Sequence, residues 1–194
     1  MALVIRGSSS GQVTVDVPAA AGTNTLTLPA GTGNIITSTT AGTPIQVVNV
    51  MVSALVTGTT VMPIDDTIPQ KTEGIEVMTL AITPTNASNK LLIRVNGFFA
   101  NSFAGEISTT AGLFQDSTAD ALAVTTTTGA QNQAMTLSLT HFMTAGTTSE
   151  TTFKVRAGNN NSGTTSFNGV SGGGGARRHG GRAASSITIM EIAV

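Results

Sequence analysis

Lys90-Leu91-Leu92-Ile93-Arg94-Val95-Asn96-Gly97-Phe98-Phe99-Ala100 decides the fold class. In an extended chain successive side chains point to opposite faces. Leu91, Ile93, Val95 and Gly97 then share one face and Leu92, Arg94, Asn96 and Phe98 the other, so the first set is the expected core side. The same alternation sets Leu137 and Leu139 against Thr136, Ser138 and Thr140, and Ile187 and Ile189 against Thr188 and Met190. Working outward, strands are expected over 46–56, 75–83, 90–100, 106–115, 121–127, 134–142, 151–157, 164–170 and 185–193. Between them lie turn-rich stretches such as Thr83-Pro84-Thr85-Asn86-Ala87-Ser88-Asn89 and Ala157-Gly158-Asn159-Asn160-Asn161-Ser162-Gly163, whose Gly, Asn, Pro and Ser favour local turns. Eight or nine strands at this spacing predict an all-β chain, a two-sheet antiparallel β-sandwich of jelly-roll-like size. No segment shows a capped 3.6-residue period, so little helix is expected.

Composition agrees. Only 10% of the 194 residues are charged, against about 25% in ordinary domains, which leaves too few Glu and Lys to solvate long amphipathic helices. The 34 Thr and 16 Ser make up about a quarter of the chain, and β-branched Thr suits a pleated, half-buried surface. A net charge of −1 gives no global field toward nucleic acid or an anionic membrane. Zero cysteines remove disulfides, thiol nucleophiles and Cys-based metal sites. There is no run of 18 apolar residues, and Met1-Ala-Leu-Val-Ile-Arg6 lacks the plan of a signal peptide, so a chain that is neither inserted in a membrane nor exported through a cleaved signal is expected.

Residues 1–44 read differently from 45–194. Val15-Asp16-Val17-Pro18-Ala19-Ala20-Ala21-Gly22-Thr23 is echoed by Leu26-Thr27-Leu28-Pro29-Ala30-Gly31-Thr32 eleven residues on, each unit a short alternating strand ended by Pro and Gly. Val13, Val15 and Val17 share a face, as do Leu26 and Leu28. Strands this short cannot bury a face alone, so these five residues are candidate oligomerisation and attachment positions. Among the seven Phe, Phe98, Phe99, Phe103 and Phe114 fall near strand edges. A core role is favoured over a trimer axis or a ligand pocket.

Candidate chemistry is sparse. Ser171-Gly172-Gly173-Gly174-Gly175-Ala176-Arg177-Arg178-His179-Gly180-Gly181-Arg182 concentrates three Arg and a His, and guanidinium groups pair well with phosphate or carboxylate. It matches neither a phosphate-binding loop nor a dinucleotide fingerprint, both of which need a strand before and a helix after. Arg177, Arg178, His179 and Arg182 are therefore read as a solvated hairpin loop that could bind an anionic surface. His141 and His179 have no Ser or carboxylate at motif spacing. Asp65-Asp66 and the Asp116, Asp120 pair fall short of the six to eight oxygens of a calcium site and are read as turns. Glycoside cleavage needs two carboxylates, for which Asp65, Asp66, Asp116 and Glu106 are the nearest candidates among five Asp and five Glu. No enzyme, cofactor or metal is expected. Asn86-Ala87-Ser88 and Asn160-Asn161-Ser162 match the N-glycosylation pattern by chance.

The run Gly7-Ser8-Ser9-Ser10-Gly11-Gln12-Val13-Thr14-Val15-Asp16-Val17-Pro18 through Leu26-Thr27-Leu28-Pro29 resembles the start of many tailed-bacteriophage fibre proteins. Leu80-Ala81-Ile82-Thr83-Pro84-Thr85-Asn86-Ala87-Ser88-Asn89-Lys90-Leu91-Leu92-Ile93, Thr152-Phe153-Lys154-Val155-Arg156-Ala157-Gly158 and Ala184-Ser185-Ser186-Ile187-Thr188-Ile189-Met190-Glu191-Ile192 are similar to the β-rich domain that follows in them. The resemblance implies a virion structural protein, commonly a homotrimer. Residues 1–44 would attach it to other virion proteins, and 45–194 would face a host-surface polysaccharide or protein. It carries no fixed site motif. Fibres are usually longer, so a short tail fibre and a head-surface decoration (cement) protein both stay open, beside a host-glycan-binding module.

Overall fold

Strands make up nearly all the regular structure among the described residues of the computed structural model, which are 3–6, 12–15, 40–170 and 176–194. The chain divides into two units, Met1–Ile35 and Ile36–Val194. In the first, β1 (Leu3–Arg6) pairs antiparallel with β2 (Gln12–Val15), Ile5 opposite Val13 and Leu3 opposite Val15. Strand β2 falls where the valine alternation begins. Strand β1 was not expected, because the five apolar residues before Arg6-Gly7 show no alternation with polar residues that would mark a strand face. Val17, Leu26 and Leu28 lie outside the described residues.

The second unit contains β3 (Pro44–Val52), β4 (Val56–Gly58), β5 (Ile75–Ile82), β6 (Lys90–Asn101), β7 (Glu106–Gln115), β8 (Ala123–Ala130), β9 (Met135–Thr144), β10 (Thr151–Asn159), β11 (Thr165–Phe167), β12 (Gly169–Val170), β13 (Ala176–Arg177) and β14 (Ser185–Ile192). Take the eight long strands β3, β5, β6, β7, β8, β9, β10 and β14 in order. The first pairs the last, β3 with β14; the second pairs the seventh, β5 with β10; the third the sixth, β6 with β9; the fourth the fifth, β7 with β8. Two further ladders, β14 with β6 and β10 with β7, join these pairs into two antiparallel sheets, β3-β14-β6-β9 and β5-β10-β7-β8. This nested pairing is a jelly roll. Strand β11 takes over from β14 along the last residues of β6 and carries β4 outside it, completing a six-stranded sheet.

The core lies between the sheets and follows the expected phase. Leu91, Ile93, Val95, Leu137, Leu139, Ile187 and Ile189 from one sheet meet Val77, Ile82, Leu113, Phe153 and Val155 from the other, all of them buried. Phe99 and Phe114 are buried as a core reading requires, and Phe98 and Phe103 are half-buried. Phe99 packs on Phe167 with ring centroids 5.2 Å apart.

Two expected strands are broken. The 46–56 run ends at Val52 and resumes as β4, and the 164–170 run splits at Asn168, whose φ of 60° leaves the extended region. Side-chain bonding causes both breaks. The buried Asn168 amide donates to the carbonyls of Val52 (3.0 Å) and Ala54 (3.2 Å), so one residue ends two ladders.

Strand directions give the sandwich two poles. Pro44 and Lys90 both pair with Ile192, and the N–H of Gly42 donates to the carbonyl of Ala193 at 2.9 Å, so the chain enters and β14 ends at one pole. Val52 pairs with Ser185 at the opposite pole, where β6 runs on to Asn101 beside β11.

Candidate functional site

The pole away from the chain's entry carries the basic hairpin. Gly169 pairs with Arg177 and Val170 with Ala176, and a short 3-10 turn follows at His179–Gly181. The N–H of Gly181 donates to the carbonyl of Arg178 at 2.9 Å, and that of Arg182 to His179 at 3.1 Å. His179, Gly180 and Gly181 have φ of 51°, 63° and 82°, a left-handed run that glycine accepts freely and other residues rarely. Arg177, Arg178, His179 and Arg182 are all exposed. Among the described residues none of the three guanidinium groups makes an ion pair or a hydrogen bond through its side chain. Three of the chain's nine Lys and Arg thus stand within six residues, a local positive patch on a nearly neutral molecule.

A rigid root holds this tip. Ser185, just after the hairpin, donates its hydroxyl to Oδ1 of Asn168, just before it, at 2.6 Å, and accepts the N–H of Phe98 at 2.9 Å. The N–H of Asn168 donates to the carbonyl of Phe98 at 2.9 Å. Asn168 and Ser185 are buried, so these bonds form where an unpaired partner would be costly. Sequence reading missed both residues, since nothing in a polar residue's identity reveals its partners.

At the same pole, beyond the end of β6, a cleft of about 350 Å³ is lined by Phe103, Glu106, Ser108, Thr128, Asn160 and Asn161 among others. The N–H of Ser102 donates to the Thr164 carbonyl (3.0 Å), and the N–H of Thr164 donates to the Ser102 hydroxyl (2.8 Å), which ties its two loops together. Ser108 and Thr128 share a hydroxyl contact of 2.8 Å, and Asn160 donates its N–H to the Ser108 carbonyl at 2.9 Å. Glu106 is the one carboxylate of this lining. A second, open groove of about 390 Å³ is lined by Asp65, Asp66, Ile68 and residues 121–124.

Three of the other acidic candidates, Asp65, Asp116 and Asp120, accept hydrogen bonds from neighbouring groups. Asp65 accepts both the hydroxyl and the N–H of Thr67, which hold its carboxyl below the usual range. Asp116 accepts from the Thr151 hydroxyl (2.8 Å) and the Thr152 N–H (2.7 Å), and Asp120 accepts from the Gln70 amide (2.7 Å). Among the described residues no three His, Asp or Glu side chains converge as metal ligands would. His141 pairs with Ile93 on the inward phase of β9 and is half-buried, and burial lowers its pKa.

The most unusual group is Glu191, which is fully buried. Oε1 accepts the N–H and hydroxyl of Thr85 (both 2.8 Å), the N–H of Asn86 (3.3 Å) and the amide of Asn89 (2.6 Å), while Oε2 accepts the Gln46 amide at 2.6 Å. Burial opposes its ionisation, yet these donors together hold it below the usual carboxylate range. None of its partners is a cation. Glu191 fastens loop 83–89 to the last strand at the entry pole. Its signal was present in the sequence, since 187, 189 and 191 share the inward phase.

No family model matches the chain, and no curated protein matches it. Among solved structures it is similar to the Eiger TNF of S. frugiperda at 10% identity, covering 78% of this chain and 94% of that one with a TM-score of 0.40. It is similar to the VP2 subviral particle of infectious bursal disease virus at 12% identity, covering 97% of this chain but only 46% of that one, with a TM-score of 0.36. The Gx strain of the same virus gives 11% identity, 96% and 50% coverage and a TM-score of 0.35.

Proposed function

We propose that the chain is a non-enzymatic structural component of a bacteriophage virion, a short homotrimeric tail fibre. Residues 1–44 attach it to other virion proteins, and the jelly roll faces the host. The observation that carries this reading is the polarity of the sandwich. The chain enters beside Ile192, whereas the arginine hairpin and the Phe103 cleft stand at the other pole. A domain tethered at one end and presenting a basic, rigidly rooted tip at the other suits contact with an anionic host polysaccharide or protein. The cleft favours a second reading within the same frame, recognition of a host glycan, because an aromatic ring, a carboxylate and two Asn side chains can take up a sugar's face and hydroxyls.

Two measurements test the proposal. Labelled protein located by electron microscopy in intact particles should lie on the tail; density on the head would replace the fibre with a decoration protein. Changing Arg177, Arg178 and Arg182 to Ser should weaken adsorption about tenfold at low salt and less at high salt, as exposed charges are screened. Unchanged adsorption at every ionic strength would remove the hairpin from the contact.

A further inference from the structure

The outward faces of the two sheets differ. On the four-stranded sheet, Glu76 pairs with Lys154 at 3.3 Å and Arg156 at 3.8 Å, and Arg156 donates to the carbonyls of Glu73 (2.8 Å) and Gly74 (2.7 Å). That face is charged and partly roofed by residues 60–74. The register of the other sheet sets three rows across β3, β14, β6 and β9: Val47–Met190–Leu92–Phe142, Asn49–Thr188–Arg94–Thr140 and Met51–Ser186–Asn96–Ser138. The first row is apolar from edge to edge, with Val47 54% and Phe142 57% exposed, and Met51 in the third row is 70% exposed. An apolar row of this kind, running across four strands, points to an interaction surface.

The face also indicates what covers it. Four of its polar residues pair among themselves: the Asn49 amide donates to the Thr188 hydroxyl at 2.8 Å, and the Ser138 hydroxyl donates to Oδ1 of Asn96 at 2.9 Å. Such a face can lose its water without leaving those groups unpaired, but it has little to offer a sugar or a charged polymer. Arg94 is the single charge of the three rows. The matching partner is apolar and almost uncharged, which this same face supplies. Its two ends are complementary rather than alike, with Phe142 projecting at β9 and Val47 and Met190 at β3 and β14 forming an apolar bed that the flexible Met190 side chain can adapt. Contacts between unlike ends join copies head to tail, and such contacts form a ring when the rotation between copies closes.

We propose that copies of the chain meet through this face, Phe142 of one lying on Val47 and Met190 of the next, three copies closing the ring. The inference rests on the homotrimer of the proposed function and names its contact surface. The cysteine-free chain allows a direct test in the full-length protein. Val47 and Phe142 stand three strand spacings apart in one copy, roughly 14 Å, beyond the ~7 Å limit for a disulfide. Any bridge in Val47→Cys/Phe142→Cys therefore joins two copies. Mild oxidation should give a covalent ladder ending at three chains. Thr79→Cys/Thr126→Cys, on the opposite edges of the other sheet, should give at most a tenth as much. No ladder, or equal ladders in the two variants, while light scattering shows a wild-type trimer, overturns the contact surface and leaves the trimer standing. A wild-type monomer at all concentrations overturns the trimer itself.

Discussion

The Ser185 hydroxyl reaches Oδ1 of Asn168 across 2.6 Å and seventeen residues of sequence, closing the root of the arginine hairpin. Removing it in Ser185→Ala leaves Oδ1 and the Phe98 N–H without their partner, and each buried unpaired group costs about 1–3 kcal/mol. Chemical denaturation should show a loss of roughly 2–4 kcal/mol. In a double-mutant cycle with Asn168→Ala the two losses should fall short of additive by about 1 kcal/mol or more. Additive losses would mean that the residues act independently.

Glu191→Gln replaces one carboxylate oxygen with an amide that faces donors, and should destabilise by about 3 kcal/mol. The pH dependence follows from the lowered pKa. The unfolded carboxyl takes up its proton near the ordinary value of 4.5 while the folded one resists, so this stability is complete above 4.5 and lost as pH falls below it. Unfolding midpoints measured between pH 3 and 6 should drop steeply in the wild type and less in Glu191→Gln.

His141 acts in a higher window. Burial lowers its folded pKa from 6.5, so the unfolded chain binds the proton first and stability declines as pH falls below about 6.5. His141→Phe should flatten the midpoint between pH 5 and 7 without changing the Glu191 step. An unaltered slope would exclude His141 as its source.

Gly158 is fixed by backbone rather than by a turn. A Cβ there would sit 2.7 Å from the Thr60 carbonyl oxygen and 2.9 Å from the Met62 nitrogen, atoms that cannot rotate away. Gly158→Ala should therefore lift residues 60–62 off β10, breaking the bond from the Met62 N–H to the Asn159 carbonyl. It should cost about 1–3 kcal/mol, with faster amide exchange at Met62 and Gly74 as the local signature.

The period-two pattern made the faces of the strands legible: Leu91, Ile93 and Val95 turned inward where alternation put them. It says nothing about which strand lies beside which, because each ladder joins residues far apart in sequence, as Val52 and Ser185 do. The basic hairpin was legible from composition, but its root was not, since Asn168 and Ser185 act through side-chain bonds that leave no periodic trace. Phe142 escaped notice for a similar reason. An apolar residue on the outward phase has meaning only once Leu92, Met190 and Val47 are known to stand in line with it.

The pairing of β3 with β14 also governs how the jelly roll would answer a pull. Tension between the chain's entry at residue 43 and the hairpin root at Ser185 runs along both strands, so the ladder from Pro44–Ile192 to Val52–Ser185 is loaded in shear and its bonds must yield together. Tension between residue 43 and Ala193, which leave at the same pole, would instead open the same ladder one bond at a time. Load entering through the arginine tip is thus carried along the resistant direction of the sheet.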